Sequence, residues 1–461
     1  MFRSSFSVTS EKVISEREVS SRSKSRKDKC ILNARRLSDQ PPAFEETHPQ
    51  VSITKDSKKT WEMYEDGIRK LRSDPATSIS YFQKQYFRSR KTNDNLAMHL
   101  AWSGVVESIL FEGKDYRSLD FWIDQYDAIA KFSGDVDLAA SILTKASLFN
   151  SLVLRRPDDP ILPKFADKIA KGLQVWNDLI QVPLLANRLM RYYVWTGNVE
   201  SAAIIAGIVR HRLERNDYDP DSTACLYASI AMYSWFNGNP EDCYDGIKKG
   251  LAVTRRSGDA EWVYQLNIHG AYAALYERNT DKLEYFLKNI NSMDFHGGRI
   301  DHCHYHLLAT WAAVLGNKFN LAFEHGNAGV ALARELGAPL LEGFCHLGVM
   351  QMHLEEDKEI FQIDQRRLQN MAVRSGSQLL QHLVTLVDTQ VLLRQGKIKQ
   401  AVSKLRGALK FAKKNEHQGL PWWTERSLIH LCEVAIQEGV EKTFVYSLIQ
   451  KHHLVTTRTD I

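Results

Sequence analysis

Long uncharged apolar runs are missing from this sequence. A membrane-spanning helix needs about 18 or more such residues, and no window approaches that length. The first residues, Met1-Phe2-Arg3-Ser4-Ser5-Phe6, are not followed by the apolar core of a signal peptide. We therefore expect no membrane segment and a cytoplasmic location.

Cysteine is also scarce, and its six copies are scattered without any C-x-x-C pair. Such spacing argues against a disulfide framework or a zinc site and favours free, buried thiols in a reducing compartment. The six positions are Cys30, Cys225, Cys243, Cys303, Cys345 and Cys432.

Charge of one sign is equally weak, because 60 Lys and Arg residues face 55 Asp and Glu residues. Much of the net charge of +5 comes from the first segment. No basic face is evident in the body of the chain, so we expect no direct DNA binding by it. Alternation of apolar and polar residues is absent too, which argues against a sheet.

Residues 1–58 are rich in Ser, Lys, Arg and Glu and are interrupted by Pro41, Pro42 and Pro49. This composition predicts a disordered basic leader. A tail for nucleic acid or an acidic partner and an organellar presequence are alternatives to a merely solvated leader. A helical spacing of apolar residues starts at Trp61, so we predict a repeat domain over residues 59–454 and a disordered tail over 455–461.

Two interleaved series of chain reversals follow. The first series holds tight turns inside helical pairs, and neighbouring turns are 41 residues apart from Gly197 to Gly238 and 39 apart from Gly337 to Gly376 in the second series. Glycine suits these joints because it ends a helix in the left-handed conformation. The first series comprises Gly113, Arg155, Gly197, Gly238, Asn279, Gly316, Asp357, Gly396 and Gly439, and the second Gly134, Asn177, Asp219, Gly258, Gly298, Gly337, Gly376 and Gly419.

A period of about 40 residues fits two helices and two short turns. Small residues recur on one face of the second helices, as in Ala322, Gly326, Gly329 and Ala333, and they let neighbouring helices approach closely. The predicted fold is an all-α, right-handed solenoid of about eight tetratricopeptide-like helical hairpins.

These turns, the joints Ser133-Gly134-Asp135 and Ser257-Gly258-Asp259, and the closing Gly419-Leu420-Pro421-Trp422-Trp423 resemble the tetratricopeptide-like sensor region of MalT-like and LuxR-type ATPase transcription regulators. Proteins with a bacterial transcriptional activator domain share this likeness, which covers roughly Trp61 to Leu454. The resemblance implies a region that receives an inducer or a partner protein, between an ATPase module and a DNA-binding module.

The chain departs from that plan in two ways. No G-x-x-x-x-G-K-[ST] phosphate loop is present, and the nearest fragment, Gly439-Val440-Glu441-Lys442-Thr443, lacks the glycine cradle. Seven residues after Leu454 are too few for a helix-turn-helix. The expectation is therefore a sensor region without its ATPase and DNA-binding modules.

Candidate partner-binding residues lie on the first helices of the pairs, which line the concave face in solenoids of this kind. Aromatic and arginine side chains there would anchor a peptide. Ordinary packing between repeats is the alternative for the aromatic residues. The candidates are Arg188, Arg191, Tyr192, Tyr233 and Trp311.

His302 and His306 are four residues apart, which is a ligand spacing on a helix. One such pair is common by chance and no third ligand is fixed, so we predict no metal site and no cofactor. No convergent catalytic groups are evident, and we expect no enzyme activity. The predicted function is a non-catalytic binding module of a transcription regulator that recognises a protein, a peptide or a small inducer. The alternative is a general interaction scaffold or adaptor with no role in transcription.

Overall fold

The computed structural model describes residues 55–71, 73–130, 136–176, 182–215, 218–257, 260–291, 299–360, 362–415 and 421–456. All of them lie in the second of two units of the chain, Glu46–Ile461. The predicted leader falls outside the described residues except at its end, where the first helix begins at Lys55, ahead of the predicted boundary at residue 58. The predicted turns at Gly134, Asn177, Gly258, Gly298 and Gly419 also lie outside them.

The described residues form twenty α-helices and one short 3-10 helix, Tyr116–Ser118, and contain no strand. The all-α prediction is confirmed. The helices are α1 (Lys55–Leu71), α2 (Pro75–Thr92), α3 (Asn95–Glu112), α4 (Leu119–Ala130), α5 (Leu138–Arg155), α6 (Leu162–Val175), α7 (Val182–Thr196), α8 (Val199–Arg215), α9 (Pro220–Phe236), α10 (Pro240–Ser257), α11 (Ala260–Glu277), α12 (Thr280–Asn291), α13 (Arg299–Leu315), α14 (Phe319–Leu336), α15 (Pro339–Glu355), α16 (Gln362–Arg374), α17 (Gln378–Arg394), α18 (Ile398–Lys414), α19 (Glu425–Gln437) and α20 (Lys442–Lys451).

Neighbouring helices pack against each other along the chain. None of the helices in the described part of the chain combines the length and apolar character that a membrane crossing requires. The five cysteines of this part, Cys225, Cys243, Cys303, Cys345 and Cys432, are free and buried, as the sequence predicted, while Cys30 lies outside it.

Side-chain caps fix where several helices begin. The Asp74 carboxylate accepts a hydrogen bond from the Thr77 amide at 3.0 Å, and Pro75 occupies the first turn of α2. The predicted cap at this position is therefore confirmed. A side-chain oxygen plays the same role before α3, α5, α9, α17 and α19, and it satisfies amides that have no partner inside the helix.

Left-handed residues end many of the helices, as the two series of turns predicted. Where the turn residue is not a left-handed glycine, a neighbour takes the conformation, as Arg278 does beside Asn279 and Asn317 does beside Gly316. The left-handed glycines are Gly113, Gly197, Gly238, Gly337, Gly376, Gly396 and Gly439.

Two of these glycines give a matched prediction. Both have positive φ, 63° at Gly376 and 70° at Gly396, so alanine at either position costs about 1–2 kcal/mol in backbone strain. A Cβ at Gly376 would also lie 2.8 Å from the Pro157 carbonyl oxygen, whereas at Gly396 it would meet nothing within 4 Å. We expect Gly376→Ala to lower the free energy of unfolding more than Gly396→Ala does in urea titrations. Equal losses would show that the Pro157 turn moves freely.

The two helices of a pair differ in burial. The first helices are buried around most of their circumference, as in the uninterrupted buried run Met98–Val106 of α3. The second helices bury one face, as shown by Ala202, Ile205, Ala206 and Val209 at helical spacing on α8. The small-residue face predicted on α14 is likewise buried. First helices therefore form the interior and second helices the outer layer.

Five rings from distant parts of the chain meet in the interior and form the central aromatic cluster, which consists of Trp195, Trp235, Tyr272, Phe344 and Trp422. Ring centroids are 4.7 Å apart for Trp195 and Phe344, 4.7 Å for Trp235 and Tyr272, and 5.0 Å for Phe344 and Trp422. Trp422 is 2% exposed. The sequence suggested that this residue covers the last repeat, but it packs instead against α7, α9, α11 and α15, because its rings neighbours converge there.

Other contacts also join segments that are far apart in the chain. Ser377 Oγ, at the start of α17, donates to the Trp195 carbonyl oxygen at 2.6 Å, and the Arg155 guanidinium donates to the Gly337 carbonyl oxygen. The Lys451 ammonium lies 5.8 Å from the Tyr276 ring centroid. In a simple row of repeats each unit contacts its neighbours alone. Here the later helices also pack on the earlier ones.

Candidate functional site: a polar recess among the first helices

Two predicted arginines, Arg188 and Arg191, lie one turn apart on α7. Arg188 forms a bidentate ion pair with Glu107 of α3, with N–O distances of 3.0 and 2.5 Å. Ser147 of α5 donates a further hydrogen bond to Glu107 at 2.6 Å. Burial opposes the charged guanidinium, but Glu107 outweighs this effect and raises the pKa of Arg188. The pair therefore holds three first helices together.

Arg191 has no such partner. Its guanidinium donates one long hydrogen bond among the described residues, to Asn187 Oδ1 at 3.5 Å. Burial lowers its pKa, with Asp301 opposing the shift and Arg188 adding to it. Asp301 itself accepts a hydrogen bond from Gln265 Nε2 at 2.9 Å. Since a guanidinium has five N–H donors, most donors of Arg191 remain unused.

Two imidazoles face this charge. Trp235 Nε1 donates to His269 Nδ1 at 3.3 Å, and the Tyr272 hydroxyl contacts His304 Nδ1 at 2.9 Å. Burial, together with the charge of Arg191, lowers the pKa of each imidazole to about 3, so both rings are neutral at physiological pH. Because Nδ1 of His269 is an acceptor, its Nε2 carries the proton and is a donor. That Nε2 is buried and has no hydrogen-bond acceptor among the described residues.

Burial and exposure together place these groups around a recess. Arg191, His304 and Tyr64 each keep partial solvent exposure. Even so, burial lowers the pKa of Arg191 and His304 and raises that of Tyr64. Groups that are strongly desolvated yet reachable face a concavity inside the protein rather than its outer surface. We call the group of Tyr64, Glu107, Arg188, Arg191, His269, Asp301 and His304 the polar recess.

The remaining predicted partner-binding residues lie apart from the recess. Tyr192 is 9% exposed and packs on the Phe149 ring at 5.3 Å, and Tyr233 is 9% exposed beneath the Arg210 guanidinium at 5.5 Å. Trp311 is fully buried. The packing alternative describes these three aromatic side chains, because the interior between first helices is filled by side chains of the chain itself. Their part in binding a partner stays a prediction.

The histidines considered as metal ligands are separated by the structure. His302 is exposed, whereas His306 turns to His325 of α14, with 3.0 Å between the two Nδ1 atoms. Burial lowers the pKa of His306 to about 4. Across the described part of the chain, three or more His, Cys, Asp or Glu side chains do not gather in a metal-binding arrangement.

Comparison with known proteins adds no family to these observations. No protein-family model matches the chain, and no curated protein is detectably similar to it. The function is therefore argued from the geometry of the recess.

Several recess residues had no signal in the sequence. Glu107 lies 81 residues from Arg188, and His269 and His304 belong to different helical pairs. Each of them occupies a first helix, but so do many buried residues of no charge. The exception was Asp301, which is next to His302 and was visible as part of the histidine-rich segment.

Proposed function

We propose that the chain is a non-catalytic helical-repeat binding module that senses a small anionic inducer in its polar recess. The observation that carries the proposal is the unused donor capacity of Arg191. A buried guanidinium with one long hydrogen bond is costly, and a ligand that supplies acceptors would remove that cost. The Nε2 donor of His269 offers the same advantage to the ligand.

The charges of the recess indicate which anion fits best. Arg188 is already neutralised by Glu107, so Arg191 supplies the free positive charge. Asp301 is a nearby negative charge, as its influence on the pKa of Arg191 shows. A multiply charged anion would be repelled by Asp301. We therefore propose a monocarboxylate, whose two oxygens match the fork of the guanidinium.

The proposal predicts a ligand-dependent stabilisation that disappears without Arg191. Acetate, propionate and benzoate are the probes, and succinate and inorganic phosphate are the more highly charged comparisons. At about 100 times the Kd, a ligand that binds the folded state adds about 2.7 kcal/mol to the free energy of unfolding. We expect at least one monocarboxylate to raise Tm in the native protein, and Arg191→Met to abolish the rise.

Arg88→Met is the matched control, because Arg88 is an exposed arginine on α2. It should retain the full ligand response. A rise in Tm that is equal in all three proteins would assign the effect to general salt stabilisation and would contradict the recess as the binding site.

We also propose that the helical pairs form a right-handed solenoid with a period of about 40 residues. Its support is the spacing of the first helices and the constant offset of the long-range contacts. Arg155 contacts Gly337 and Trp195 contacts Ser377, and each pair is 182 residues apart, or about five helical pairs. The first helices start at Asn95, Leu138, Val182, Pro220, Ala260, Arg299, Pro339, Gln378 and Glu425.

A role in transcriptional control rests on the resemblance to the sensor region of MalT-like and LuxR-type regulators. In this proposal the chain acts on a separate protein that carries the output. Affinity purification from the native host tests it. Recovery of a DNA-binding protein or a phosphate-loop ATPase supports the role, and recovery of chaperones alone favours the adaptor alternative.

A further inference from the structure

A groove opens on the outer layer between α16 and α18. It measures about 500 Å³, which falls within the range of about 300–1,000 Å³ for ligand sites. Helices α16 and α18 form its walls, and Leu392 of α17 lies between them. We call it the basic groove, and its lining residues are Gln365, Gln369, Leu392, Lys399, Gln400, Ser403 and Lys404.

The walls of the groove are unusually cationic. Helices α16 and α18 together carry nine Lys and Arg residues and one acidic residue, Asp364, although the whole chain has a net charge of only +5. Lys404 pairs with Asp388, Lys413 with Glu441 and Arg367 with Glu342. The other six cations, Arg366, Arg374, Lys399, Arg406, Lys410 and Lys414, make no ion pair with the described residues.

The floor of the groove is ordered by a buried carboxylate. Asp388 is 3% exposed and accepts hydrogen bonds from Gln365 Nε2 at 2.8 Å, Gln369 Nε2 at 2.6 Å and Lys404 Nζ at 3.0 Å. Both amide groups thus use their nitrogen on the protein, and their carbonyl oxygens remain as acceptors. The arrangement suits a polypeptide, which offers backbone N–H donors at regular intervals.

Side chains on the rim extend the same character. On α18, Lys399, Ser403, Arg406 and Lys410 follow one another at spacings of four, three and four residues and therefore share one face. On α16, Arg366, Gln369 and Val373 share a face in the same way. Val373 is 68% exposed and gives an apolar contact beside the charges. The surface thus combines cations with a few apolar positions.

We propose that the basic groove is a docking site for an acidic, amphipathic segment of a partner protein. Glutamate or aspartate side chains of the segment would face the row on α18, and its apolar side chains would contact Leu392 and Val373. Such a surface speeds association through long-range attraction and fixes the orientation of the partner. The proposal is independent of the recess, since the two sites share no residue.

Nucleic acid is the other anionic polymer that such a charge attracts. Proteins that bind single strands add exposed aromatic side chains on which bases stack. The large exposed hydrophobic residues on the described parts of α16 and α18 are aliphatic, namely Ile363, Val373 and Ile398. The single aromatic residue of the two helices, Phe411, packs on the His382 ring at 5.1 Å. This difference favours the acidic polypeptide.

Fluorescence anisotropy with the full chain tests the proposal. The probe is a fluorescein-labelled peptide of repeated Glu-Glu-Leu, and its neutral match repeats Gln-Gln-Leu. We expect the acidic peptide to bind with an affinity that falls as salt rises, because exposed charges are screened. The double variant Lys399→Glu/Lys410→Glu should weaken binding by about tenfold or more. Ser403→Trp, which fills the groove without a change of charge, should weaken it as well.

The control Lys168→Glu/Lys171→Glu makes the same change of charge on exposed residues of α6 and should bind like the native protein. All four lysines are exposed, so urea titration should show unchanged folding. The proposal is overturned if the acidic peptide does not bind, if the glutamine peptide binds equally well, or if both double variants have the same affinity. Tighter binding of an oligo-dT strand than of the acidic peptide would overturn it in favour of nucleic acid.

Discussion

Replacing Arg188 with methionine should lower the free energy of unfolding by about 3–5 kcal/mol, because it leaves the Glu107 carboxylate buried without its cation. The two side chains are only 9% and 14% exposed, so water cannot take over the role of the guanidinium. The remaining partner of Glu107 would be the Ser147 hydroxyl. Urea titration followed by circular dichroism measures the loss.

The double variant Glu107→Leu/Arg188→Met separates the ion pair from the packing around it. Replacing both charges with apolar side chains of similar size is often neutral or stabilising, so the double variant should regain most of the lost stability. A double variant as unstable as Arg188→Met would mean that the arginine stem, rather than the pairing of charges, stabilises these helices.

Trp422→Ala is expected to have an effect of similar size, about 3–5 kcal/mol, because it opens a cavity in the central aromatic cluster. The indole contacts rings from four first helices, α7, α9, α11 and α15. Its removal should also increase hydrogen exchange in α19 and α20, since the segment around Trp422 connects them to the interior.

Trp423→Ala is the natural control, because the neighbouring indole is only partly buried and lies outside the central aromatic cluster. A clearly smaller loss of stability is expected for it. If the two variants are equally unstable, Trp422 has no special role in joining the end of the chain to the earlier helices.

Arg191 and Arg188 are alike in the sequence and differ in the structure. Both stand on the buried side of α7, three residues apart, and the sequence predicted both as groove charges. Only the approach of α3 through Glu107 distinguishes them, because that helix satisfies one guanidinium and leaves the other with unused donors. A partner 81 residues away leaves no periodic signal near either arginine.

The basic groove was hidden in the sequence for a related reason. Its cations are divided between α16 and α18, which are separated by the whole of α17. Each helix alone resembles an ordinary solvated surface, and the balanced total charge conceals the local excess. Their addition into one surface depends on how α16 and α18 stand on either side of α17.

Local chemistry in the sequence determined the helical class, the paired helices and the positions of the turns. Helical periodicity, carboxylate caps such as Asp74 and glycines such as Gly376 act over a few residues, so they are legible without any knowledge of distant contacts. The convergence of Trp195, Trp235 and Trp422, and the difference between Arg188 and Arg191, were decided by the tertiary structure. Such features depend on which helices meet after the chain has doubled back on itself, and contacts between segments up to 182 residues apart carry no local pattern.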